Sequence, residues 1–183
     1  MKSLKLLDLS SNSFSSKFPV SVVNLTSLIS LSLNDNPLDV GEMPQGLERL
    51  SGLTLLQLSN TSLEGIIPHF VGNLTNLVDL QLSFNYFSGI IPPGIANLKN
   101  LRRLQLYHNN LSGQIPKGFG NLGSLQFFDA SSNMISGTIY ELRSLKNLVS
   151  LQLYENNLSG QIPNELGSMS SLRNISLYNN NLD

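Results

Sequence analysis

Residues 101–116 read LRRLQLYHNNLSGQIP, and residues 148–163 read LVSLQLYENNLSGQIP. Two near-copies of this length in one chain mark an internal repeat, and the period of that repeat sets the fold. The leucine that opens each copy recurs at Leu4, Leu28, Leu53, Leu77, Leu101, Leu125, Leu148 and Leu172, at spacings of 24, 25, 24, 24, 24, 23 and 24 residues. One domain over residues 1–183 is expected, built of units 4–27, 28–52, 53–76, 77–100, 101–124, 125–147 and 148–171 with a partial unit 172–183.

Within each unit the fourth position holds Leu7, Leu31, Leu56, Leu80, Leu104, Phe128, Leu151 or Ile175. The sixth holds Leu9, Leu33, Leu58, Leu82, Leu106, Ala130, Leu153 or Leu177. Apolar residues two apart make a short strand with one face inward. Successive units place such strands side by side, so the sheet is parallel. The ninth position is Asn12, Asn36, Thr61, Asn85, Asn109, Asn133, Asn156 or Asn180, where the chain leaves the strand. A side-chain amide there is expected to pair the backbone groups of the turn, coil after coil. Thr61 interrupts this ladder with a shorter side chain.

The second half of the unit carries Gly65, Gly89, Gly113, Gly137 and Gly160 ahead of Ile67, Ile91, Ile115, Ile139 and Ile162. Proline follows in most units, then apolar pairs three apart such as Val71/Leu74, Ile95/Leu98, Phe119/Leu122 and Leu166/Met169. Proline fits a loop start, and the pairs fit a single helical turn. The fold class expected is an α/β solenoid: a right-handed superhelix with a parallel sheet on the concave face and short 3-10 or turn segments on the convex face. One coil cannot bury its apolar face alone, so stacking supplies the core. Leu4 opens at full repeat strength and residue 183 falls within a unit, so an uncapped section of a longer array is expected.

Composition narrows the function classes. There are 11 basic and 12 acidic residues and no block of like charge, so nucleic acid is not the expected partner. The absence of cysteine removes disulfides, thiolate metal sites and thiol catalysis. Met1-Lys2-Ser3-Leu4 runs into repeat sequence without the apolar stretch of a signal peptide, and no stretch is long and apolar enough for direct membrane insertion. His69 and His108 are 39 residues apart, out of phase with the repeat, so a histidine metal site or triad is not expected. Gly118-Phe119-Gly120-Asn121-Leu122-Gly123 spells a dinucleotide fingerprint but lies in the convex segment, outside any strand–helix unit. No cofactor and no enzyme activity are expected.

The form L-x-x-L-x-L-x-x-N-x-L-S-G-x-I-P resembles the plant-type leucine-rich repeat over essentially the whole chain. The stretches SLSLNDNPLD (30–39), LSNTSLEGIIP (58–68), FFDASSN (127–133) and ELRSLKNLVSLQLYENN (141–157) are similar to the middle ectodomain repeats of receptor-like kinases. Among these they are most similar to the peptide-hormone-receptor subfamily often called class XI. The resemblance implies a slice of a glycoprotein ectodomain on the extracellular side of the plasma membrane. It implies a secreted peptide or protein ligand, and a co-receptor engaged through parts of the parent outside this chain. A kinase domain would lie in the parent. Receptors of this group often read a peptide C-terminus with Arg-x-Arg on one strand. Here Arg102 and Arg103 are adjacent and Gln105 takes the place of a second strand-face arginine.

Positions three, five, seven and eight face outward from the strand, on the surface that solenoids commonly use for binding. In the first three units they are mostly small and polar: Ser10, Ser32, Asn34, Gln57 and Ser59. From the fourth unit on they include Gln81, Phe84, Arg103, Gln105, Tyr107, His108, Phe127, Asp129, Gln152, Tyr154, Glu155 and Tyr178. Exposed aromatics mixed with arginine have the composition of an interface. Tyrosine at position seven is also an ordinary filler of the repeat, so Phe84 and Phe127 carry more of the argument. Candidate N-glycosylation sequons occur at Asn24, Asn60, Asn73, Asn110, Asn157 and Asn174. Asn60 and Asn174 fall on the strip, where a glycan would obstruct a ligand.

The function expected is non-catalytic recognition of a secreted ligand on the concave face. An inhibitor or defence protein, for example one that blocks a cell-wall-degrading enzyme, would carry clustered charge there. An ice-binding or structural array would need a uniform Thr/Ser/Asn row, which Phe84, His108 and Glu155 interrupt.

Overall fold

The computed structural model describes residues 3–183. Each turn of the chain contributes one three-residue strand to an eight-stranded parallel sheet: Leu6–Asp8, Ser30–Ser32, Leu55–Gln57, Asp79–Gln81, Arg103–Gln105, Phe127–Asp129, Ser150–Gln152 and Asn174–Ser176. The register repeats without slip, so Asp79, Arg103, Phe127 and Ser150 stand in one row and Gln81, Gln105, Asp129 and Gln152 in another. The cause is the period of two: any slip would carry the leucines to the solvent face.

From the second coil to the seventh, positions four and six lie inside at 1% exposure or less. The sixth coil exchanges sizes, with Phe128 at position four and Ala130 at position six. Phe128 packs at 5.1 Å, ring to ring, on Phe119 of the convex side, so a large residue compensates a small neighbour. Five-residue 3-10 turns such as His69–Asn73 and Pro93–Asn97 close the convex side, with Val71, Leu74, Ile95 and Leu98 pointing inward. The seventh coil closes instead with a single α-helical turn, Asn164–Gly167.

The asparagine ladder forms. Asn109 Nδ2 donates to Leu106 O in its own coil and to Leu82 O in the preceding one, both at 3.0 Å, and its Oδ1 accepts from Phe87 N at 3.0 Å. Asn85, Asn133, Asn156 and Asn180 repeat the pattern across their own coil boundaries. Thr61 donates only to Leu58 O and to Asn85 Oδ1, so no side-chain bond crosses from it to the second coil.

A second sheet departs from the sequence expectation, which gave this half of the unit only turns. Seven short parallel strands run beside the first sheet, among them Leu63–Ile66, Tyr86–Ile90, Asn110–Gln114 and Met134–Gly137. The serine of the Leu-Ser-Gly motif explains it. Ser88, Ser112 and Ser136 Oγ donate to Gly65, Gly89 and Gly113 O at 3.4, 3.3 and 3.2 Å, stitching each coil to the one before. Gly113 sits at φ +73°, where a Cβ would fall 2.8 Å from Ile90 Cγ2 of the neighbouring coil, so the motif keeps glycine there. Of the isoleucines that follow, Ile67, Ile91, Ile115 and Ile139 are buried, whereas Ile162 is 44% exposed.

Candidate functional site

The twelve candidate residues all lie along the first sheet or the turn that follows it, and none is buried. Adjacent strands stand about 4.8 Å apart, so side chains one repeat apart are neighbours in space. In the position-three row, Arg103 Nε lies 3.8 Å from Asp79 Oδ2, and its guanidinium carbon sits 5.0 Å from the centre of the Phe127 ring. Gln81 Nε2 donates to both oxygens of Asp79, at 3.0 and 3.2 Å, and Gln81 Oε1 accepts from Asn34 Nδ2 at 3.5 Å. Burial pushes the Asp79 carboxyl above the usual range, while Gln81 and Arg103 pull against it. Asp79 was not among the residues singled out from the sequence; its register pairing with Arg103 was the signal.

Positions seven and eight gather a ring cluster. Phe84 and His108 stack at 4.6 Å and 17° from parallel, and Tyr107 meets Phe84 edge-on at 5.1 Å and His108 at 5.8 Å. Tyr154 and Tyr178 stack at 4.6 Å and 5° two coils further on. Position eight is where every coil turns through the left-handed region, with φ +52° at Phe84 and His108 and +55° at Glu155. That backbone turn aims the side chain out of the sheet. Asn60 occupies the same position in the third coil, and Asn179 in the eighth.

Position seven is not uniformly outward. Ser83 and Ser131 are fully buried there, and Ser32 at position five is nearly so, because small side chains are overlaid by the larger groups of adjacent coils. Asp129 Oδ1 accepts from Ser131 N and Oγ at 3.0 and 2.6 Å; burial raises its carboxyl pKa, opposed by Ser131 and by His108. Burial, and then the charge of Asp129, likewise raise the Tyr107 phenol. Gln152 Nε2 donates to Ser150 Oγ at 3.2 Å, and Glu155 Oε2 accepts from Ser132 Oγ at 2.6 Å. Gln105 completes the glutamine row between Gln81 and Asp129.

The sequons occupy four settings. Asn24 and Asn73 end 3-10 turns, and Asn110 and Asn157 open strands of the second sheet, all exposed. Asn174 opens the last strand of the first sheet. Asn60 uses its Nδ2, the atom that would carry a glycan, to bond Asp35 Oδ1 at 3.0 Å. His69 lies on the convex turn and His108 on the opposite face, and among the described residues no group of three or more His, Asp or Glu side chains could hold a metal. Of the fingerprint glycines, Gly118 caps the convex turn Phe119–Asn121, Gly120 lies within it and Gly123 follows it; a Cβ on Gly120 would fall 2.7 Å from Glu141 O of the next coil.

Repeat families are recognised by such period and stacking. A family model described as leucine rich repeat matches residues 75–135, and a second model of that repeat matches residues 3–25, 52–74 and 147–169. The chain belongs to the leucine-rich-repeat family. Over 68 residues this leucine-rich-repeat chain is 48% identical to the receptor protein-tyrosine kinase CEPR1 of Arabidopsis thaliana, a stretch that makes up 37% of the chain and 7% of that protein. It superposes on the Arabidopsis receptor kinase HAESA, solved with the peptide hormone IDA and the co-receptor SERK1, with a TM-score of 0.95 and 38% identity over 98% of this chain and 30% of that one. Against the plant peptide hormone receptor RGFR1, solved with RGF2, the TM-score is 0.94 and the identity 38%, over 98% of this chain and 29% of that one. The chain therefore spans less than a third of the length of these relatives.

Proposed function

We propose that this chain is a non-catalytic recognition module from the extracellular part of a receptor-like kinase. Its concave sheet face binds a secreted peptide or protein, and a co-receptor is recruited through parts of the parent outside this chain. The observation that carries the reading is the unbroken strip from Gln81 to Tyr178. It places rings, amides and carboxylates in register on a solvated face, and the fold is that of receptors solved with peptide hormones. A stacked pair of exposed rings on a soluble surface is apolar area left available for a partner.

The test is retention. The chain and its Phe84→Asn/Tyr107→Ser variant are immobilised and exposed to the secreted fraction of plant cells, and bound species are identified by mass. Both replacements copy residues that other coils hold at the same positions. Peptides kept by the chain and lost by the variant support the reading. Equal retention by both overturns the concave site, and retention of a folded cell-wall hydrolase alone would favour the inhibitor alternative.

A further inference from the structure

The charges of this chain are divided unequally between its faces. Positions three, five, seven and eight carry five carboxylates, Asp8, Asp35, Asp79, Asp129 and Glu155, and one guanidinium, Arg103. The remaining positions hold 10 basic and 7 acidic residues, so a face of −4 is set against a remainder of +3, with histidine neutral, and the total is the −1 of the whole chain. The Asp79–Arg103 pair cancels itself. What is left is unopposed negative charge on a surface where rings lower the local polarity.

The carboxylates are held by neutral donors and keep an oxygen in reserve. Asp35 takes Asn60 Nδ2, Asp129 takes Ser131, and Glu155 takes Ser132. The other oxygen of each has no hydrogen-bond partner among the described residues. Tyr107 lies within the electrostatic reach of both Asp35 and Asp129, and Tyr178 within that of Glu155, so carboxylates and rings share one surface. Ser83 adds an independent sign. Its hydroxyl, fully buried, faces Tyr107 but makes no hydrogen bond of ordinary geometry among the described residues. A ligand that displaces the Tyr107 ring would offer that hydroxyl a well-aligned partner.

We infer that this face selects a peptide segment bearing lysine or arginine, with Phe84, Tyr107 and His108 packing its stems and Asp35, Asp129 and Glu155 receiving its cations. The inference rests on the concave-face reading above. A metal ion does not fit, because the carboxylates are spread over coils two to seven, a span of roughly 24 Å at the strand spacing. An extended peptide of about seven residues covers that distance. Rings attract cations through their faces, and unopposed carboxylates steer them from a distance. Lys5, Arg102 and Arg173 stand at position two, on the rim, and would repel a cation that strayed from the strip.

The experiment pans a random peptide library displayed on phage against three proteins. These are the whole chain, its Phe84→Asn/Tyr107→Ser variant, and its Asp35→Asn/Asp129→Gln/Glu155→Ser variant. Each substitution copies a residue that another coil holds at that position. The expected result is lysine- and arginine-rich binders whose synthetic forms lose about tenfold or more in affinity on the carboxylate variant and weaken as salt is added. Neutral or acidic binders that the ring variant loses would overturn the charge selection and leave the concave site standing. Basic binders indifferent to both variants, or no binders at all, would overturn both.

Discussion

Phe84 and His108, 24 residues apart in sequence, stack at 4.6 Å while each holds its backbone at φ +52°. Two bulky residues thus occupy a conformation that favours glycine and asparagine. The left-handed turn costs each about 1–2 kcal/mol, and the stack returns about 0.5–1.5 kcal/mol.

Phe84→Asn should therefore change stability by no more than about 1 kcal/mol, because the relief of backbone strain offsets the lost stack. Urea unfolding of the two proteins measures this. A loss beyond about 3 kcal/mol would show Phe84 to be core rather than surface.

The asparagine ladder makes the opposite prediction. Asn109→Ala leaves Phe87 N without its side-chain partner and takes one of the two side-chain donors from Leu82 O, which keeps Asn85 Nδ2, so about 1–3 kcal/mol should be lost. Thr61→Asn adds an amide where the ladder is interrupted and should gain about 1 kcal/mol. Thermal melts of both variants check the pair, and an unchanged melt for Asn109→Ala would remove the ladder from the account of stability.

Gly113→Ala and Gly123→Ala separate two kinds of glycine. The first places a methyl at φ +73° and 2.8 Å from Ile90 Cγ2, and should cost at least about 1–2 kcal/mol. The second meets nothing within 4 Å and should be neutral or gain up to about 1 kcal/mol through the unfolded chain. Equal effects at the two sites in denaturant unfolding would contradict the tight approach of the second sheet.

The pH dependence of Asp129 follows from burial. Its pKa is raised in the folded protein, so between the ordinary value of 3.8 and the raised one the folded state binds more protons than the unfolded. Stability from this group falls as pH rises through that window, and the penalty is complete at neutral pH. Asp129→Asn keeps an acceptor for Ser131 and removes the penalty. The variant should be the more stable at neutral pH, and the difference should vanish below about pH 3. Denaturant unfolding at both pH values tests the sign; a variant less stable at neutral pH would show that the carboxylate stabilises the face.

How far the sequence reaches can be seen residue by residue. Leu104 and Leu106 announce an inward strand by their spacing, and both are fully buried. Asn109 announces a turn ladder by recurring every coil, and its bonds form across the coil boundary. Thr61 announces the interruption. These are local periodic signals, and stacking identical coils turns each into a row. The second sheet was not legible in the same way, because Ser112 and Gly113 look like turn residues until the preceding coil supplies Gly89 O as an acceptor.

By itself the sequence determined the solenoid, since a leucine period near 24 residues leaves no other way to bury the apolar positions. It also determined which positions look out from the strand. Only the tertiary structure decided what those positions do together. Asp79 meets Arg103, Arg103 meets Phe127, Phe84 stacks on His108, and Ser83 is buried beside Tyr107. The reason is distance: these residues are a full coil apart along the chain, and they become neighbours only when the backbone hydrogen bonds of a parallel sheet draw successive coils to within about 4.8 Å.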